Sequence, residues 1–132
     1  MVTNSHSVAR VLCIDDEPQG LAVRKAILEQ SGYIVHAAAS GDEARQFLVT
    51  EHFDLVISDH LLKETTGTRV SILVKLLHPG IPILILSGLD EAPEGMEFAN
   101  GYLCKLEPPP VFLATVAKLL HGSLEAAAGG GE

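Results

Sequence analysis

Four short apolar segments, each followed by polar or charged residues, constrain the fold of this chain more than any other feature. They are Val11-Leu12-Cys13-Ile14 before Asp15-Asp16, Leu55-Val56-Ile57-Ser58 before Asp59, Ile83-Leu84-Ile85-Leu86 before Ser87, and Gly101-Tyr102-Leu103-Cys104 before Lys105. Such segments, separated by helix-length stretches, are typical of parallel strands that are buried on both faces of a sheet. Because these sheets bind ligands at the carboxyl ends of their strands, we expect three carboxylates, a hydroxyl and an ammonium group to meet at one edge.

The full pattern alternates strands with helices. The predicted strands lie at about 10–12, 33–37, 54–58, 83–86 and 101–104. The first helix is predicted to begin at Pro18 and to end at Gly32, with Val23, Ile27 and Leu28 facing the sheet. This alternation predicts an α/β fold with a doubly wound, five-stranded parallel sheet.

The connection between the fourth and fifth strands is a poor helix. Pro93 and Gly95 lie inside it, and both residue types oppose helix formation. We therefore expect helix four of the fold to be shortened or irregular.

Composition and charge limit the domain count and the partners. A chain of 132 residues with 47% apolar side chains suits one domain with one core. We place this domain at residues 8–121 and expect flexible termini at 1–7 and 122–132. The net charge of −8 argues against a nucleic acid or an anionic membrane as partner. The first residues lack the apolar stretch of a signal peptide, so a cytoplasmic location is expected.

The residues at the strand ends resemble the receiver domain of bacterial two-component response regulators, especially the stand-alone, chemotaxis-regulator-like members. The resemblance implies a flavodoxin-like strand order, 2-1-3-4-5. Gly67, eight residues after Asp59, lies where the family turns into its third helix. The matching residues are Asp15 and Asp16 as the acidic pair, Asp59 as phosphoacceptor, Ser87 as switch hydroxyl, Tyr102 as switch aromatic and Lys105 as the site lysine.

Phosphorylation of a carboxylate needs cations, because the attacked phosphoryl group already carries negative charge. Mg²⁺ prefers oxygen ligands, usually a few carboxylates with water molecules completing an octahedron. The resemblance implies that Asp16 and Asp59 bind Mg²⁺ directly and that Asp15 binds it through water. It also implies that the backbone carbonyl of Leu61 is a ligand.

The function implied by the resemblance is signalling rather than conventional enzyme catalysis. Asp59 would accept a phosphoryl group from a histidine kinase or a histidine phosphotransfer protein. The chain, a monomer or weak dimer, would then signal through a downstream protein. Leu61 and Leu89, two residues beyond Asp59 and Ser87, are apolar and are expected to keep water away from the phosphorylated site.

Two departures from the family pattern keep alternatives open. Leu106 follows Lys105 where the family usually has a proline in a cis peptide, and a trans bond is expected here. Lys63 also replaces a proline that is common after the phosphoacceptor. One alternative is a degenerate receiver that binds proteins without phosphorylation. Another is an aspartyl-phosphate phosphatase, which is disfavoured because such enzymes usually need an Asp-x-Asp pattern.

Overall fold

Five parallel strands form the sheet that the apolar segments predict. The structure, a computed structural model, describes residues 8–88 and 95–128, with side chains described as far as residue 122. The strand order is β2-β1-β3-β4-β5, with every neighbouring pair parallel. The predicted fold class and strand order are therefore confirmed. The strands are β1 (Arg10–Ile14), β2 (Ile34–Ala38), β3 (Leu55–Asp59), β4 (Ile83–Ser87) and β5 (Gly101–Cys104).

Each of the first three helices begins at a side-chain cap. The helices are α1 (Pro18–Gln30), α2 (Gly41–Thr50), α3 (Gly67–Leu77) and α4 (Pro109–Ala128). Glu17, Ser40 and Thr66 precede α1, α2 and α3, and their side-chain oxygens accept a hydrogen bond from the N–H three residues later. Such caps satisfy N–H groups that have no partner inside the helix. The caps therefore fix where each helix leaves the carboxyl end of its strand.

The helices cover the two faces of the sheet in pairs. Successive residues of a strand point to opposite faces, so β1 contributes to both cores. One core combines Leu12 and Ile14 with residues of α2 and α3. The other combines Val11 and Cys13 with residues of α1 and α4. Every residue of β3 and β4 is buried. Asp59 is the last residue of β3, which is the central strand of the sheet.

The inward face of α1 differs from the one predicted. Leu28 is buried and Ile27 packs against the core as expected, but Val23 is 58% exposed, so its prediction was wrong. Leu21 is buried instead. Leu21 and Leu28 are seven residues apart and share a face, whereas Val23 lies about 200° around the helix from Leu21.

The described part of the connection between β4 and β5 contains no regular α-helix, as the prediction of a shortened or irregular helix four requires. It contains one short 3₁₀ turn, Met96–Phe98. Residues 89–94, which include Pro93 and Leu89, lie outside the described residues. The helix that follows β5 is therefore α4, although it occupies the place of a fifth helix in the predicted fold.

The backbone of α4 continues to Ala128, beyond the domain boundary placed at residue 121. Alanine-rich sequence such as Ala126–Ala128 has high helix propensity, which favours this extension. Residues 1–7 and 129–132 lie outside the described part of the chain, so the domain limits stay a prediction. Among the helices that the structure describes, none combines the length and apolar character needed to cross a membrane.

Candidate functional site

The strand ends bring three carboxylates together at the carboxyl edge of the sheet. Asp15 and Asp16 follow β1, and Asp59 is the last residue of the adjacent strand β3. Each of the three offers an oxygen, and these oxygens all lie within 4.8 Å of one another. The predicted clustering of these carboxylates is therefore present in the structure.

Asp15 is the most deeply held of the three. Its side chain is fully buried, and its backbone N–H donates to the Ala38 carbonyl of β2 at 3.1 Å. Its Oδ1 accepts the Glu17 backbone N–H at 2.9 Å. Its Oδ2 pairs with two cations, the Arg24 guanidinium and the Lys105 ammonium, the latter at 3.4 Å. Both carboxylate oxygens are therefore engaged by protein groups.

Asp59 lies beside the same lysine. Lys105 Nζ is 3.1 Å from Asp59 Oδ2, so one ammonium group bridges Asp15, which follows β1, and Asp59, which ends β3. Burial raises the pKa of Asp59 above its usual range, and the negative charge of Asp15 acts in the same direction. The hydrogen bond and the charge of Lys105 oppose that rise. Lys105 therefore favours the ionised form of Asp59, which is the form that can act as a nucleophile.

The backbone around Asp59 is held closely by α3 and β4. The N–H of His60 donates to the Leu86 carbonyl at 2.7 Å, and the N–H of Gly67 donates to the His60 carbonyl at 2.7 Å. A Cβ at Gly67 would lie 3.0 Å from the carbonyl oxygen of Asp59 and 3.1 Å from His60 Cα. Glycine therefore allows this close approach of α3 to the end of β3 without a short contact.

Ser87 and Tyr102 occupy the predicted positions on the neighbouring strands. Ser87 ends β4, is buried, and accepts the Lys105 backbone N–H on its carbonyl at 2.7 Å. Tyr102 is half-buried in β5, where it pairs with Ile85. The switch roles of both side chains stay predictions.

Leu61 lies in the loop between β3 and α3. It forms a β-bridge with Thr66, and the residue is 67% exposed.

The bond between Lys105 and Leu106 is trans, since the described residues contain no cis peptide. Lys105 nevertheless reaches both carboxylates, so the missing proline does not remove the lysine from the site.

The carboxylate cluster fits a small divalent cation. Mg²⁺ takes oxygen ligands at about 2.0–2.1 Å, so two carboxylate oxygens on one ion lie within about 4.2 Å of each other. The oxygens of Asp15, Asp16 and Asp59 approach this spacing. All three donors are hard oxygen atoms, which suit Mg²⁺ better than softer metals.

Arg24 is the member of the site that sequence reasoning missed. It lies on α1, its side chain is only 14% exposed, and it forms an ion pair with Asp15. The available signal was the spacing of Gly20 and Arg24, four residues apart on one face of α1 and close to the acidic pair. An arginine on a surface helix is otherwise a common, solvated residue.

The family model described as the response regulator receiver domain matches residues 11–116. Curated relatives include the transcriptional regulatory protein GlrR of Escherichia coli, which is 30% identical over 94% of this chain. The alkaline phosphatase synthesis transcriptional regulatory protein PhoP of Bacillus subtilis is 33% identical over 86% of the chain. The matched regions span only 28% and 49% of these two relatives, respectively.

Solved structures give the same assignment. A CheY-like receiver domain protein from Methanospirillum hungatei superposes with a TM-score of 0.84 at 28% identity, covering 90% of this chain and 98% of that one. The response regulator TrrA of Thermotoga maritima, solved with Mg²⁺ and BeF, gives 0.80 at 25% identity, covering 85% and 99%. Receiver domains bind Mg²⁺ at an acidic pocket, and this chain carries the corresponding carboxylates. The fold, the carboxylate cluster and the family match together show that the chain belongs to the response regulator receiver domains.

Proposed function

We propose that this chain accepts a phosphoryl group on Asp59 and transmits the resulting change to a downstream protein. The observation that carries the proposal is the position of Lys105 Nζ, 3.1 Å from Asp59 Oδ2, beside a cluster of three carboxylates. Receiver domains are signalling domains that interact with histidine kinases and downstream effectors. The proposed donor is the phosphohistidine of a histidine kinase or a histidine phosphotransfer protein.

In the proposed transfer, an oxygen of Asp59 attacks phosphorus while the bond between phosphorus and the donor imidazole breaks. The electron pair of the breaking bond leaves with the imidazole nitrogen, and an acyl phosphate forms on Asp59. Lys105 lies where it can pair with the negative charge of the incoming phosphoryl oxygens. Bound Mg²⁺, held by Asp16, Asp59, the Leu61 carbonyl and, through water, Asp15, would neutralise further charge on that group.

The transmitted change is proposed to begin at Ser87. Its hydroxyl, at the end of β4, would bond an oxygen of the new phosphoryl group and draw its loop toward Asp59. Tyr102, on the next strand, would follow by repacking its half-buried ring. The described part of the connection between β4 and β5 holds a 3₁₀ turn, so a partner surface there would differ from one built on a regular helix.

A degenerate receiver that acts without phosphorylation is the second candidate. The observation that favours it is the pairing of Asp15 with both Arg24 and Lys105, which already neutralises one of the carboxylates. The two candidates differ in one measurable property, namely whether Asp59 forms a stable phosphoryl adduct.

The partner is proposed to be a protein. The net charge of −8 repels nucleic acid, although the curated relatives are named as transcriptional regulatory proteins. Because the matched regions span less than half of those relatives, action as a stand-alone domain is likewise a proposal.

The test is phosphorylation by acetyl phosphate in the presence of Mg²⁺. Intact mass should show a single phosphoryl adduct that hydroxylamine removes, and Asp59→Asn should abolish it. Asp54→Asn is the matched control, because Asp54 precedes the same strand at its opposite end, roughly 16 Å away. Undiminished labelling of Asp59→Asn would refute the assignment, and absence of labelling in the wild type would favour the degenerate receiver.

A further inference from the structure

Arg24 places a second positive charge on the most buried carboxylate of the site. Asp15 Oδ2 accepts from Arg24 and also lies 3.4 Å from Lys105 Nζ, while Asp15 Oδ1 accepts the Glu17 N–H. A cation that approaches Asp15 must therefore compete with Arg24 for an oxygen that is already paired. Lys105 also contacts Asp59, whereas the ion pair of Arg24 within residues 8–88 and 95–122 is with Asp15 alone.

Gly20 provides the space that lets Arg24 reach the site. A Cβ at Gly20 would lie 3.2 Å from a terminal nitrogen of Arg24 and 3.4 Å from Asp15 Oδ2. It would also lie 3.0 Å from a carboxylate oxygen of Glu17, which caps α1. Glycine inside a helix costs about 1 kcal/mol relative to alanine. Glycine at this position therefore leaves room for both the Glu17 carboxylate and the Arg24 guanidinium.

The charges at the site indicate what Arg24 does. The three clustered carboxylates carry three negative charges, and Arg24 and Lys105 carry two positive charges, which leaves one net negative charge. Without Arg24 the same cluster would carry two. Because Arg24 is largely removed from water, its charge is screened less than that of an exposed side chain. Its effect on a divalent cation should therefore be substantial.

We propose that Arg24 is a positioning residue that competes with Mg²⁺ for Asp15 and so lowers the Mg²⁺ affinity of the site. This inference rests on the proposed function only in taking the three carboxylates as the metal site. Arg24 lies on the first helix, and its guanidinium is held over Gly20. The two residues together set the concentration of Mg²⁺ at which the site fills.

The test is a calorimetric titration of the metal-free, unphosphorylated protein with Mg²⁺. Arg24→Gln should bind Mg²⁺ at least about tenfold more tightly than the wild type, which corresponds to about 1.4 kcal/mol. Arg24→Lys retains a positive charge and should stay nearer the wild type. Gly20→Ala retains Arg24 but crowds both its guanidinium and the Glu17 carboxylate, so this variant should also bind Mg²⁺ more tightly than the wild type.

Lys25→Gln is the matched control for a general effect of charge. Lys25 is the next residue of α1 and pairs with Glu29 on the exposed surface, so its removal changes the net charge equally. Its Mg²⁺ affinity should change less than twofold, because the charge is solvated and screened. A similar gain in Lys25→Gln and Arg24→Gln would overturn the specific role of Arg24.

Equal or weaker Mg²⁺ binding in Arg24→Gln would also overturn the inference, and would mean that Arg24 only orients Asp15. That result leaves the proposed function intact if the wild type binds Mg²⁺. Failure of both wild type and Arg24→Gln to bind Mg²⁺ would instead refute the metal site itself, and the inference with it. Tighter binding in Arg24→Gln, with unchanged binding in Lys25→Gln, is the result that supports the inference.

Discussion

Replacing Gly67 with alanine should disturb the end of β3, where Asp59 lies. The new Cβ would lie 3.0 Å from the Asp59 carbonyl oxygen, 3.0 Å from Ile85 Cδ1 and 3.1 Å from His60 Cα. Non-bonded carbon atoms prefer separations of about 3.5–4.0 Å, so the contacts with Ile85 Cδ1 and His60 Cα are short by roughly half an ångström, and the contact with the oxygen is also tighter than usual. Two of the three atoms belong to the backbone and cannot move by changing a rotamer. The start of α3 or the end of β3 must therefore shift.

The expected change in the free energy of unfolding of Gly67→Ala is the sum of two opposing effects. Overpacking of a well-packed core costs about 1–3 kcal/mol. Alanine gains up to about 1 kcal/mol over glycine in a helix, although Gly67 is the first residue of α3 and the gain there is smaller. The net expectation is a loss of about 1–2 kcal/mol in the free energy of unfolding. For a domain of this length, the midpoint of thermal unfolding should fall by about 3–8 °C.

The first assay is urea unfolding, monitored by far-ultraviolet circular dichroism. The second is the rate of labelling by acetyl phosphate. Gly122→Ala is the matched control, since Gly122 lies inside α4 and a Cβ there would meet no atom within 4 Å. That variant should gain up to about 1 kcal/mol and label at the wild-type rate. If Gly67→Ala were as stable as Gly122→Ala, the argument from close approach would be wrong.

Three further results are expected. Because burial raises the pKa of folded Asp59, the unfolding free energy of the metal-free wild type should fall as pH rises from the usual carboxyl range through that raised value. Asp59→Asn should lack this fall and be the more stable protein at neutral pH. If the unfolding free energies of the two proteins, measured by urea unfolding, changed in parallel with pH, the raised pKa of Asp59 would be contradicted. Lys105→Ala should keep the fold but reduce the changes in amide resonances that follow phosphorylation. Changes equal to those of the wild type would show that Lys105 does not couple phosphorylation to the conformational change. The double variant Leu61→Asn, Leu89→Glu should lose its phosphoryl group faster than the wild type, because polar side chains can orient an attacking water; an unchanged decay would show that the leucines do not exclude it.

Much of the site could be predicted because the sequence alternates apolar strands with helices. Once that alternation is accepted, the sheet is parallel and its strand ends share one edge, so Asp15, Asp59 and Lys105 must converge. The prediction of a shortened or irregular helix around Pro93 and Gly95 follows from backbone propensity alone. These conclusions depend on local residue preferences and on topology, and both can be inferred from the order of residues along the chain.

The contacts of α1 depended on the tertiary structure. Whether Leu21 or Val23 faces the sheet depends on the rotation of the helix about its axis, which the Glu17 cap and the packing against β1 and β2 decide together. Arg24 lies over Gly20 because the two residues are one turn apart, and the same rotation of α1 brings Arg24 onto Asp15. An ion pair between residues on a loop and on a helix depends on distances of a few ångströms, which hydrophobic periodicity does not encode. The sequence by itself determined the sheet and the carboxylates at its edge, whereas tertiary packing decided which cations pair with them.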